Sequence, residues 1–284
     1  MDPVAPRFAR LEDRPALFRL WLACFPGDTM ETVRAVFSRL SLESECLVAE
    51  RDGNPVSMLL LLPQRYESLP VQYIYAASTL PAYRGQGLCG TLLKAAFEIG
   101  RNRGQAASFL RPASQGLAEY YTRFGYRPFF LARESRGRSA AASGGMRPEL
   151  SRVEDYGFVR ERMLTDGPPH ITWEKRWTDL ALEQAEAAGG GGFVFDGGAG
   201  CALCEPDGDI LFVRELLCPS SRADACLSAL LSQFGRTDYV CRMPAGPAEG
   251  DETVFGLWYP LAESGRDRLG SAAGYKPYMG LALD

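Results

Sequence analysis

Histidine is nearly missing: the 284 residues hold one, His170. That excludes a two-histidine metal site, and any Ser-His-Asp or Cys-His nucleophile would have to be built on His170 alone. It stands in "DGPPHITWEKRW", at the entrance to later structure, and is read as structural. An excess of either charge is missing too. Lys and Arg number 31 against 35 Asp and Glu, a formal charge of −4, so the chain has no general pull toward nucleic acid or an anionic membrane. No run approaches the length of a membrane span. The longest aliphatic run, "VSMLLLLP" at 56–63, ends at proline and reads as a buried strand. The opening "MDPVAPRFARLEDRP" lacks the continuous apolar centre of a secretory signal. The 8 cysteines are therefore expected as reduced thiols in the cytoplasm. Their single close pair, Cys201-x-x-Cys204, reads as two residues of a short strand, and no metal is expected.

What is present suits a folded protein of two modest domains: 46% of residues are hydrophobic and 23% charged. Helical spacing of apolar residues marks 14–25, 30–40 and 88–103, the last ended by Gly104. Strands are expected at 45–66, folded about an Asp-Gly turn, and at 71–79 before Pro81. A strand in "AASFLRPA", a short helix in "QGLAEYYTRF" and a strand in "YRPFFLARE" close the first half. The glycine-rich basic stretch 135–150 is the expected linker between domains at 1–134 and 151–284.

The second half echoes the first. Strand, turn and strand are expected over 193–218, then a helix at 222–235 ended by glycine, then a strand in "DYVCRMPAG". "GYKPY" (274–278) repeats "GYRPF" (125–129), each time expected to open a final strand. Agreement in element order argues for one fold used twice. Gly189 to Gly192 precede a strand and no helix, which disfavours a phosphate cradle there.

The chemistry concentrates in "YRGQGLCGTLL" (83–93). Gly85-x-Gly87-x-x-Gly90 has the literal spacing of a dinucleotide fingerprint. A dinucleotide fold would feed its first strand directly into the first glycine and supply an acid about 20 residues on for the ribose. Here Pro81 to Arg84 intervene, and the corresponding region is "SFLRPAS". NAD is disfavoured, but a pyrophosphate is not. Backbone amides from Gln86 to Gly90 open a helix, where the dipole favours an anion. Gly87 permits close approach and Arg84 adds a cation.

Arg84-x-x-Gly87-x-Cys89-Gly90, after "YAASTLPAY" and before "TLLKAAFE", resembles the acyl-CoA loop of the GCN5-related N-acetyltransferases, the GNAT superfamily. The likeness covers 45–130, with 14–40 matching that family's substrate-side start. "SQGLAEYYTRFGYRPFF" resembles its second motif: Tyr121, Gly125 and Tyr126 match, whereas Ser114 and Leu117 stand where the family has Asn and Ala. Cys89 also replaces a usual Gly or Ala. The resemblance implies an α/β (α+β) fold of two tandem GNAT-like lobes, each a mixed central β-sheet flanked by helices, the second degenerate. Acetyl-CoA is the implied cosubstrate, at Ala77, Ser78, Thr79, Arg84, Gly85, Gln86, Gly87, Leu88, Cys89, Gly90, Ser114 and Tyr121. Within that set Gly85 is the incidental loop residue.

The implied reaction is acetyl transfer to a primary amine of a small molecule or peptide, with Tyr121 as acid for the departing thiolate. Tyr120 is read as core, and Glu67 with the backbone at Ala77 and Thr79 as lining for the tunnel. The strand before the loop, Tyr75 to Thr79, holds no carboxylate, so the family's usual base is missing. The tandem arrangement resembles the enhanced-intracellular-survival branch, which implies a C-terminal carboxylate, here that of Asp284, as base. That branch adds a sterol-carrier-like domain, for which this chain offers no residues. The second lobe has no glycine in "LLCPSSRADACLSALL" and is expected to bind no CoA, walling a substrate cleft with Trp173, Trp177, Trp258 and Tyr259 in reach. The alternative is a non-catalytic acyl-CoA-binding module. Neither monomer nor homodimer is favoured by the sequence.

Overall fold

The computed structural model describes residues 5–138, 148–246, 252–270 and 276–283. They form two compact units, one from the described residues up to Pro128 with those of 256–270, the other from 129–255 and 276–283.

The first unit opens with β1 (Arg7–Phe8), α1 (Arg14–Cys24), α2 (Met30–Ser38) and α3 (Leu42–Glu45). Pro15 sits in the first turn of α1, and the Thr29 hydroxyl caps α2 by accepting from the Thr32 amide. β2 (Cys46–Arg51) and β3 (Asn54–Tyr66) form a hairpin whose turn puts Asp52 and Gly53 at φ 50 and 78, the left-handed pair that an Asp-Gly turn supplies. β4 (Leu69–Thr79), α4 (Leu88–Asn102), β5 (Ala107–Leu110) and α5 (Gln115–Thr122) follow. β3 is buried on both faces, which is why its run of leucines shows no alternation. Leu59, Leu61 and Ile74 pack with Leu92, Ala96 and Phe97 of α4 in one cluster. On the other face the rings of Trp21 and Tyr75 meet edge to face at 5.7 Å.

The second unit contains β6 (Arg127–Arg138) from Phe129 on, β7 (Leu150–Arg152), α6 (Tyr156–Leu164), β8 (Ile171–Thr172) and α7 (Lys175–Ala187). Then come β9 (Gly191–Phe195), β10 (Gly200–Asp207), β11 (Ile210–Leu217), α8 (Ala223–Phe234) and β12 (Asp238–Pro244). Gly235, left-handed at φ 60, ends α8. The chain returns to the first unit within β13 (Glu252–Pro260), followed by α9 (Glu263–Asp267).

The two units share one topology. In the first, strands run β1-β2-β3-β4-β5-β13, and all these pairs are antiparallel except β4 with β5. In the second the order is β6-β12-β11-β10-β9-β7, antiparallel except β11 with β12. A helix, α4 or α8, makes the crossover each parallel pair requires. This bears out two mixed sheets flanked by helices.

Several details differ from expectation. The units are not consecutive stretches: the end of β13 serves the first, and β6 runs through 135–138 of the expected linker. Residues 139–147 of that linker lie outside the described residues. The 193–218 stretch forms three strands, because Asp196 and Gly197 make a left-handed turn inside it. "GYRPF" opens β6, but of "GYKPY" only Lys276 to Tyr278 are described, and Tyr278 makes an isolated bridge to His170. Helices α6 and α7 were not anticipated.

Candidate active site

β4 and β5 pair only from Val71 to Tyr73 against Ala107 to Phe109. β4 continues six residues further, and among the described residues its β5-side edge has no partner there. Along its other edge the register with β3 slips between Met58 and Leu60, and Ala76 takes φ 49. A left-handed alanine inside a strand marks a bulge, which bends the strand and re-aims its amides. The bulge had no signature beyond two adjacent alanines, so the sequence could not place it.

The end of β4 is firmly tied. Ser57 Oγ donates to the Ser78 carbonyl at 2.8 Å and lies 2.8 Å from Thr79 Oγ1. The Thr79 carbonyl accepts from Cys24 Sγ at 3.3 Å and from Arg84 Nε at 3.1 Å. Ser78 Oγ is buried with no partner among the described residues. A short 3-10 turn at Pro81–Tyr83 leads to Arg84, Gly85, Gln86 and Gly87, all exposed. Both glycines have φ 77, so Gly85 is as conformationally required as Gly87 and is not incidental.

Gly87 heads α4 with no side-chain cap, and its carbonyl accepts from the Thr91 amide, the first amide bonded within the helix, and from the Thr91 hydroxyl. The amides of Leu88, Cys89 and Gly90 are thus the helix's unsatisfied donors. Cys89 is half-buried, and burial raises its thiol pKa against a hydrogen bond with Tyr120. At Gly90 a Cβ would come 2.8 Å from the Phe124 ring, so the third helical residue must be glycine for α5 and its following turn to close on α4.

Ser114 caps α5, its Oγ accepting from the Leu117 amide at 3.3 Å; as a cap, serine serves where the family has Asn. Leu117 is exposed. Tyr121 is 7% exposed in the α4 cluster, and burial, with Cys89 and Tyr120 nearby, pushes its phenol well above the ordinary value. Its hydroxyl makes no hydrogen bond among the described residues. Tyr120 was read as core, yet it is the less buried of the two, its hydroxyl near the first turn of α4. Tyr126 bonds Ser108 at 2.7 Å, and Gly125, at φ 92, lets Tyr259 pack close.

Other expected residues fall elsewhere. Glu67 lies in the β3–β4 turn, at the opposite end of β4 from the loop, and pairs with Arg268 at 3.0 Å, so it does not line the tunnel. At about 3.3 Å per residue, β4 separates them by roughly 30 Å. Trp173, Trp177 and Trp258 are packed in cores; Trp173 donates to the Met279 carbonyl and Trp258 to that of Gly265. Tyr259 borders a shallow cleft of about 490 Å³ with Lys94 and Arg101. His170 lies between the Pro168 carbonyl and Glu161, 2.9 and 3.2 Å away. Cys201 and Cys204 are buried on β10, and no metal-holding group occurs among the described residues. Asp284 lies outside the described residues. No described helix is long and apolar enough to cross a membrane.

Comparison with known proteins agrees with this geometry. Residues 5–129 match the family described as acetyltransferase (GNAT) domain. No curated protein matches the chain. Among solved structures, a protein of Enterococcus faecalis V583 superposes with TM-score 0.71 at 14% identity, over 92% of this chain and 73% of its own. A GCN5-related N-acetyltransferase from Kribbella flavida gives 0.69 at 17% identity, over 91% and 71%. Eis1 from Mycobacterium abscessus gives 0.63 at 15%, over 90% and 74%. At such identities these likenesses establish the fold, which extends through both units. Residues 5–129 are thus similar to the GNAT acetyltransferase domain, and the chain as a whole has the fold of the GCN5-related N-acetyltransferases it superposes on.

Proposed function

We propose that the chain transfers acetyl from acetyl-CoA to a primary amine of a small molecule or peptide, by direct attack. The observation that carries this reading is the opening between β4 and β5, ending beside the uncapped start of α4. The pyrophosphate sits on the amides from Gln86 to Gly90, with the Arg84 guanidinium beside it. The pantetheine arm, itself an amide chain, lies along the free edge of β4 as an added strand would. The thioester carbonyl then meets amides re-aimed by the bulge at Ala76, which stabilise the oxyanion as the amine adds.

The acceptor must arrive as a free amine. Removing a proton from a lysine-like ammonium at pH 7 costs on the order of 4–5 kcal/mol. No side chain from Tyr75 to Thr79 is a carboxylate. Asp28, bonded by Trp21 Nε1 at 2.6 Å, places negative charge on the α1 side of β4. As the carbon–sulfur bond breaks, the Tyr121 phenol donates to the sulfur, and the proton that the attacking nitrogen sheds restores the phenol. A phenol is protonated at neutral pH, and burial holds Tyr121 in that form until the thiolate charge develops beside it.

Isothermal titration with acetyl-CoA tests the cosubstrate: micromolar affinity is expected, abolished by Arg84→Ala with Gly87→Trp. A folded wild type that binds none refutes the reading. Tyr121→Phe is expected to slow CoA release with an amine panel by about 10–100-fold and leave affinity within twofold. Unchanged turnover removes its role as acid.

A further inference from the structure

Three side chains from three elements converge on residue 79: Cys24 at the end of α1, Ser57 on β3 and Arg84 in the loop. We infer that Cys24 is a positioning residue for the cosubstrate, acting through the Thr79 carbonyl on the Arg84 guanidinium. The inference rests on the acetyl-CoA reading of the loop.

Arg84 is exposed, and a long exposed arginine ordinarily samples many rotamers. Here its Nε donates to the Thr79 carbonyl, which fixes the plane of the guanidinium at the base of the loop. Among the described residues no carboxylate holds its two terminal nitrogens, so that edge of the fork faces outward. A fork held at Nε and open at both Nη atoms is pre-organised for a phosphate oxygen pair. The anchor is one carbonyl, and its direction is set by what else bonds to residue 79. Cys24 Sγ takes that carbonyl's other lone pair, and Ser57 holds the Thr79 hydroxyl and the Ser78 carbonyl. These bonds matter because, among the described residues, the end of β4 has no strand partner on its β5 side. Cys24 therefore ties the α1 side of the unit to the phosphate loop. In this arrangement the thiol is neither nucleophile nor ligand.

The test is a double-mutant cycle read by titration with acetyl-CoA. Cys24→Ala is expected to weaken binding about 3–10-fold, Cys24→Ser to restore it within twofold, and Arg84→Ala to weaken it more than either. In the Arg84→Ala background, Cys24→Ala should change affinity by less than about 1.5-fold, since the residue it positions is gone. Amide exchange at 77–80 is expected to rise in Cys24→Ala. Equal affinity of Cys24→Ala and wild type overturns the inference. So does full additivity with Arg84→Ala, which would assign Cys24 a general structural role. A wild type that binds no acetyl-CoA refutes the underlying reading instead, and a wild type that binds with Cys24→Ala unchanged refutes the positioning alone.

Discussion

The two strand-to-helix junctions, Thr79 to Leu88 and Leu217 to Ala223, descend from one topology and differ in what their side chains are free to do. Both begin at a strand with a single parallel neighbour and pass through a 3-10 turn opened by proline, Pro81 or Pro219. In the first, two left-handed glycines open the loop, and Arg84 keeps its outer edge free. In the second no residue from Leu217 to Ala223 has positive φ, and the Arg222 guanidinium is taken by Asp196. The strands differ in the same sense. Counted back from the proline, Ala77 corresponds to Glu215, which is fully buried and bonded by Arg160 Nε, Tyr156 and Tyr278. One unit leaves its strand end open; the other occupies it with its own ion pair and phenols. Under the proposed function, a fold repeated in both units carries one site because the second satisfies internally the groups that the first leaves unsatisfied.

The largest effect that would test this contrast is on stability. Glu215→Ala leaves the Arg160 guanidinium and two phenols without their shared acceptor in a dry interior, at a cost of about 3–5 kcal/mol in urea unfolding. Acetyl-CoA affinity of the folded variant should stay within twofold. A parallel fall in affinity would mean that the second unit is no bystander in binding. Next comes the junction itself. Gly87→Val places a β-branched residue at φ 77 where the helix opens, and is expected to lower acetyl-CoA affinity at least about 100-fold. Arg222→Ala, the matching change in the second unit, should leave it unaltered. An effect from Arg222→Ala would break the comparison outright.

Much of this was legible in the sequence because it rests on local rules. Periodicity placed α1, α2, α4, α5 and α8, and the Asp-Gly turn placed the β2–β3 hairpin. The loop's glycine spacing alone read as a dinucleotide fingerprint, and only Pro81 to Arg84 before it and the Tyr121–Tyr126 motif after it turned the reading toward an acyl-CoA loop. What escaped depends on contacts between distant residues. The bulge at Ala76 is an accident of register, with no residue type to announce it. Cys24 meets Thr79 across 55 positions. The passage of β13 from one unit into the other leaves no trace in composition. Tyr120 and Tyr121 were separable by helical phase, but which would be buried depended on Phe124 and Gly90 from another helix. Glu67 was misplaced because proximity in sequence to β4 said nothing about which end of that strand holds the site.

The smallest expected effect concerns acid. Asp13 in the first unit has a lowered pKa, principally through its hydrogen bond from Arg7; in the second, Glu161 is lowered because His170, Arg160 and Thr172 outweigh burial, as Glu134, Asp155, Asp196 and Asp238 are by their own partners. A carboxyl whose folded pKa lies below its unfolded value stabilises the protein above the unfolded value. That stability is lost as pH falls through the folded value, here below about pH 4. Asp13 is the better shielded, its side chain 7% exposed and bonded at 2.7 Å to Arg7 Nη1, with the Arg10 amide also donating to it. Glu161, with its side chain 34% exposed, contributes less, because solvent screens its partners. Amide exchange followed from pH 7 to 3 should therefore show the backbone around Asp13 in the first unit losing protection more steeply than that around Glu161 in the second. Asp13→Asn should flatten that slope by weakening the protein above pH 4 rather than by protecting it below. If the first unit keeps its slope in Asp13→Asn, its acid sensitivity arises elsewhere. If Glu161→Gln moves the second unit more than Asp13→Asn moves the first, then the shared cluster around His170, and not the shielded Arg7 pair, is the stronger acid-sensitive tie.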